Sequence, residues 1–313
     1  MRHGMRRLGG AAGIALAATL AIAPAASATT DDGEDHKPAK PAGVVLAPHP
    51  LVGVRIAIDP GHSAAGNSRA DAQSADAKVP DGRGGRTECT STGSIGPEGY
   101  TEHEFSFEVS QKLAEQLRDR GAIVLLTRLH DDGAGPCVDD RGTFALDHDV
   151  DLMLSIHTDA QSGQDQDGFQ VVLAAPPLSD SQRGPSHDLA ESMAQALQEA
   201  GYEPEVSQES EEDEAASNDS AGSADRQVPS FGSTGEGSSE ADDTLSEGVV
   251  ERSDVTTLNF ARRPAVQLEL GDLGDAEQAA KMSTADAQEQ YAEAMTAGVL
   301  DWVDGHRGLR PHH

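Results

Sequence analysis

Short apolar runs alternate with stretches of helical spacing along most of the chain. Leu51–Asp59, Ala122–Thr127, Val150–Ile156, Gly168–Ala174 and Ala265–Leu268 read as strands. The second is a run of continuous apolar residues, as a strand covered on both faces requires. Between them, Phe105, Val109, Leu113 and Leu117 recur on one face of a predicted helix over 101–120. Thr101 is placed to cap that helix, with Glu104 as the reciprocal partner of a capping box. Gly121 ends it. Further helices are predicted at 138–148, 187–201, near 254–262 and at 284–305. In the last of these Tyr291, Met295, Val299 and Trp302 form the buried stripe. Strands alternating with helices predict a single α/β domain over 51–305, its sheet covered by helices on both faces.

The remaining segments lack this periodicity. Residues 1–28 have an arginine-bearing start (Arg2, Arg6, Arg7), an apolar stretch from Ala11 to Pro24 and an Ala26-Ser27-Ala28 cleavage site. That is the pattern of a secretory signal, and it predicts an exported protein with no membrane anchor after cleavage. Residues 29–50 are polar and proline-rich and read as a linker, and 306–313 as a tail. Residues 63–100 are too long and glycine-rich for a plain connection, which points to a functional loop. Residues 203–247 hold 14 Asp and Glu against the single Arg226, together with ten serines. A segment of this kind cannot bury enough apolar surface to offset its ordering entropy, so disorder is expected there.

The formal charge is −31. Such a surface excludes nucleic acid as a partner, because phosphate binding needs a basic face. It also disfavours anionic membranes and wall polymers. The chain has two cysteines, Cys89 and Cys137, far apart in sequence. In an oxidising compartment they are expected to form one structural disulfide. Closing a loop of about 48 residues contributes on the order of 4 kcal/mol in the chain-entropy picture.

The candidate chemistry lies where apolar runs give way to loops or helix starts: His62 after Ile56-Ala-Ile-Asp-Pro-Gly, His157 after Asp151-Leu-Met-Leu-Ser-Ile, Glu269 after Ala265-Val-Gln-Leu, and Glu102 opening the long helix. Open α/β sheets build their sites at strand ends. Two histidines and a carboxylate make a zinc set of the hydrolytic kind, with a position left for water, and a further glutamate can act as base. A carboxylate on the apolar strand that carries Glu269 needs a partner to be buried there.

Four segments together resemble the zinc-dependent N-acetylmuramoyl-L-alanine amidases, in order and in spacing. They are Ile56–His62, the Glu102-His-Glu-Phe-Ser-Phe-Glu-Val helix start, Ser155-Ile-His-Thr-Asp159 and Pro264-Ala-Val-Gln-Leu-Glu-Leu-Gly271. The compact exported amidases of mycobacteria are the most similar. They share Gly135-Pro-Cys-Val-Asp-Asp-Arg141, with its cysteine, and Ala175-Pro-Pro-Leu-Ser179. The resemblance implies a mixed, mostly parallel sheet flanked by helices. It also implies a Zn2+ cofactor held by His62, Glu102 and His157, and Glu269 as the catalytic glutamate. The implied reaction cuts the amide between the lactyl group of N-acetylmuramic acid and L-alanine of the stem peptide, so the implied partner is peptidoglycan or muropeptides. Asp59 and Arg141 are expected to be structural, and His103, beside Glu102, points away from the ligand set. Three positions depart from the family pattern. Asp159 stands where asparagine is usual, Asp272 where phenylalanine is common and Leu146 where asparagine is frequent.

Overall fold

The computed structural model describes residues 49–64, 78–159, 168–205 and 245–306. The expected signal peptide, all but the last two residues of the linker, the central part of the acidic insert (206–244) and the tail beyond His306 lie outside these residues.

Six strands make the main sheet: β1 (Arg55–Pro60), β4 (Ile123–Leu126), β5 (Leu152–Asp159), β6 (Phe169–Ala174), β7 (Val249–Arg252) and β8 (Ala265–Asp272). Their order is β4-β1-β5-β8-β6-β7. The first four neighbours run parallel; β6 is antiparallel to β8 and parallel to β7. The expected mixed, mostly parallel sheet is therefore present. A small antiparallel hairpin, β2 (Lys78–Pro80) with β3 (Arg86–Glu88), stands apart from it.

The central strands β1, β5 and β8 are apolar on both faces because both are covered. On one face α1 (Glu102–Asp119), α4 (Pro185–Glu199) and α7 (Ala285–His306) press on residues including Ile56, Leu154 and Leu268. The predicted stripes of α1 and α7 are the buried ones. The capping box forms: the Glu104 amide donates to Thr101 Oγ1, and the Thr101 amide donates to Glu104 Oε2 at 3.0 Å. On the other face α2 (Val138–Asp147) and α5 (Thr256–Phe260) cover a smaller layer around Ala57, Met153, Val172 and Ala265.

Several expectations are corrected. The first strand starts at Arg55 because Leu51–Gly53 forms a turn, with Gly53 at φ 82°. Two short helices, α3 (Asp180–Arg183) and α6 (Ala276–Met282), and strand β7 were not predicted. Each is too short to show a period, and β7 ends in Glu251 and Arg252, which read as polar loop. The acidic insert also has ordered edges. The Phe169 amide donates to the Glu203 carbonyl at 3.0 Å, and the Glu205 amide donates to the Phe169 carbonyl at 3.0 Å. Leu245 packs on the main core.

Candidate metal centre

Strand β1 ends with Asp59 and Pro60, and the chain then turns sharply at Gly61 and His62. His62 takes φ 56°, a left-handed conformation uncommon outside glycine. Such a backbone persists only where its surroundings over-determine it, and here two guanidinium groups do so. Arg141 of α2 donates to the Pro60 carbonyl (2.7 Å), the His62 carbonyl (2.6 Å) and the Pro136 carbonyl (3.0 Å). It also pairs with Asp59 Oδ1 at 2.9 Å. Arg128, just past β4, donates to the carbonyls of Pro60 (2.9 Å), Gly61 (3.0 Å) and His103 (2.8 Å). The same side chain therefore ties the turn to the start of α1. Asp59 and Arg141 are both buried and paired with each other, which is the ion pair expected of Arg141.

Glu102 opens α1, where a carboxylate also suits the helix dipole. It is 3% exposed. Its Oε1 lies 3.0 Å from His62 Nε2 and 3.1 Å from His157 Nδ1, and Oε2 accepts from the Ser94 amide at 2.9 Å. The two imidazole rings meet edge to face with centroids 4.9 Å apart. Burial alone would make the Glu102 carboxyl less acidic. The hydrogen bonds from His157 and His62 and their charges outweigh it and hold the carboxyl far below the usual carboxylate range. For His157, burial disfavours the imidazolium, but Glu102, Glu269 and Asp59 outweigh it and push the ring above its ordinary value. The site thus concentrates negative potential around two imidazoles.

Two glycines make this approach possible. A Cβ on Gly61 would sit 2.5 Å from His157 Cε1, and one on Gly93 would sit 2.6 Å from Glu102 Oε2. Ser91 Oγ holds His62 Nδ1 at 2.8 Å and leaves Nε2 facing the cluster. The loop carrying Ser91 is tied to α2 by the Cys89–Cys137 disulfide, with Cα atoms 4.4 Å apart. The disulfide expected from the sequence is therefore present, and it takes Cys137 out of any ligand set with Asp139 and Asp140.

His62, Glu102 and His157 offer ligand atoms that all lie within 4.8 Å of one another. Two imidazole nitrogens and one carboxylate oxygen are a donor set suited to zinc, with room for a fourth, exchangeable ligand. The outer contacts fit as well, since Ser91 fixes the ring orientation of His62. His103 is directed away, with Nδ1 on Asp131 Oδ2 at 2.9 Å. Glu269 lies beside the cluster: β8 places it in register with His157 on β5, and both line the same cleft as Glu102. Neither His157 nor Glu269 ends its strand as the sequence implied; β5 continues to Asp159 and β8 to Asp272. Asp272, the last residue of β8, is buried, and its side chain accepts from the Gly274 amide of the following turn at 2.6 Å. Leu146 is half-exposed on α2.

The sequence reading missed Arg128 and Gln267. Arg128 was marked only by being a cation directly after an apolar strand. Gln267 was marked by interrupting the aliphatic run of β8 two positions before Glu269, where the period of a strand puts it on the same face.

The mixed, mostly parallel sheet thus brings two histidines and two glutamates together on one cleft. The N-acetylmuramoyl-L-alanine amidase family profile matches residues 56–301, and the chain belongs to that family. It is 30% identical over 291 residues to an N-acetylmuramoyl-L-alanine amidase of Mycobacterium tuberculosis, covering 93% of this chain and 96% of that one. Its structure is similar to that of an N-acetylmuramyl-L-alanine amidase from Mycobacterium smegmatis, with a TM-score of 0.65 and 26% identity over 82% of this chain and 99% of the other. The Mycobacterium abscessus counterpart gives 0.64 and 28%, over 81% and 100%. Among the described residues no helix is long and apolar enough to cross a membrane.

Proposed function

We propose that this protein is a zinc-dependent, extracytoplasmic hydrolase of peptidoglycan. In this reading it cleaves the amide between the lactyl group of N-acetylmuramic acid and L-alanine of the stem peptide. The carrying observation is the approach of His62 Nε2 and His157 Nδ1 to one carboxylate oxygen of Glu102, at 3.0 and 3.1 Å, with Glu269 in register beside His157.

An unactivated amide needs a strong nucleophile and relief of charge on its carbonyl oxygen. Zinc held by His62, Glu102 and His157 would supply both, lowering the pKa of a water to about 7 and polarising the carbonyl. Glu269 accepts the proton of the attacking water and passes it to the nitrogen of L-alanine as the carbon–nitrogen bond breaks. The products are a muramoyl carboxylate and a free peptide amine. Arg141 and Arg128 do not act on substrate in this scheme; they hold the backbone that aims His62. The signal-like start of the sequence supports action outside the cytoplasm.

The test is incubation of the zinc-loaded protein with a defined muropeptide and identification of the products by mass spectrometry. Free stem peptide beginning at L-alanine is expected. Cleavage within the peptide would reassign the protein as a peptidase, and intact muropeptide would leave only a binding role.

A further inference from the structure

Gln267 lines the catalytic cleft and is 8% exposed. It occupies a position where an aliphatic residue would pack well. Its neighbours across the strands are Val172 on one side and, on the other, Ser155, whose hydroxyl donates to Asp59, and one step back on the same face of β8, Ala265 belongs to the apolar layer under α2 and α5. A primary amide buried there costs stability unless it is paired. Its partner is the proposed base: Gln267 Nε2 donates to Glu269 Oε1 at 2.7 Å. An ionised carboxylate can only accept, so chemistry dictates which end of the amide faces it. The alternation of a β-strand places residues two apart on one face. A glutamine there reaches along the strand to the carboxylate.

We propose that Gln267 is a positioning residue for Glu269. Its amide fixes the orientation of the carboxylate through one oxygen. This inference rests on Glu269 acting as the base. It assigns a role to a residue that the strand pattern alone would place in the core.

The test compares zinc-loaded wild type with Gln267→Leu and Gln267→Met, which keep the volume and lose the donor, each in the wild-type and Glu269→Gln backgrounds. Hydrolysis of a defined muropeptide is followed at saturating and limiting substrate. With Glu269 present, kcat is expected to fall about 10- to 100-fold, the usual scale for a residue that orients a working group. KM, zinc content and melting temperature are expected to stay near wild type. In the Glu269→Gln background the same substitutions should change kcat less than about twofold, because the group they orient is gone. Equal losses in both backgrounds would show a merely structural role and overturn the proposal, as would wild-type kcat in both volume-matched variants. If Glu269→Gln itself keeps full activity, it is the assignment of the base that fails, and the inference falls with it. That result is read from the Glu269 variant alone and so cannot be confused with the first two.

Discussion

Arg141 offers the sharpest test of how the fold builds the site. The perturbation is Arg141→Met, which keeps a long unbranched side chain and removes the guanidinium. Arg141 is 2% and Asp59 0% exposed. The substitution therefore leaves a fully buried carboxylate whose remaining partners are the hydroxyls of Thr127 and Ser155, the latter at 2.7 Å. Removing one member of a buried ion pair costs about 3–5 kcal/mol. The carbonyls of Pro60, His62 and Pro136 also lose a charged donor, which places the expected loss near the upper end, about 5 kcal/mol. A domain of this kind is stable by only about 5–15 kcal/mol, so the effect should be large in urea denaturation. Asp59→Asn in the same background removes the stranded charge and should recover about 1–3 kcal/mol. The pH dependence follows from the same pair. Burial opposes ionisation of Asp59, but Arg141 and the hydroxyl donors outweigh it and hold the carboxyl below its ordinary value. Its contribution to stability is thus present above the unfolded-state pKa of about 3.9 and lost as pH falls through the lower folded-state value. Asp59→Asn should flatten the stability curve in that acid range. An Arg141→Met protein within about 1 kcal/mol of wild type that binds zinc normally would refute the reasoning, because the turn at His62 would then not depend on its clamp.

Ser91→Ala removes the partner of His62 Nδ1 and should weaken zinc binding about 10- to 100-fold without unfolding the protein, which competition with a chromogenic chelator would measure. Gly61→Ala places a methyl group 2.5 Å from His157 Cε1, so zinc binding should be lost even where circular dichroism shows a folded chain. Replacing Cys89 and Cys137 by serine opens a linkage between residues separated by 48 positions. It should cost on the order of 4 kcal/mol, seen as a lower urea midpoint that reductant no longer shifts.

The sheet and its helices were legible because their signals are local. Phe105, Val109, Leu113 and Leu117 on α1, the continuous apolar run of β4 and the Thr101–Glu104 box each follow from spacing within one element. Three of the four central residues, His62, His157 and Glu269, adjoin apolar runs, and Glu102 opens the predicted helix. What the sequence could not show is how distant segments meet. Arg128 and Arg141 converge on the carbonyl of Pro60 from different elements. Ser91 reaches His62 from a loop that a disulfide ties to α2, and Gln267 reveals itself through a contact two residues along the strand. Strand β7 was missed because its pairing with β6 is fixed by tertiary contact, while Glu251 and Arg252 carry no strand preference of their own.

The most direct measurement is zinc stoichiometry together with turnover in two variants, Glu102→Ala and Glu269→Gln, set beside wild type. Glu102→Ala is expected to lose zinc and activity together. Glu269→Gln is expected to hold one zinc per chain with wild-type affinity while kcat falls about 10²- to 10⁴-fold, the range for loss of a general base. Loss of zinc in Glu269→Gln would make Glu269 a ligand, and full turnover with zinc retained would remove it from the chemistry; either result would contradict the division of labour drawn from the geometry.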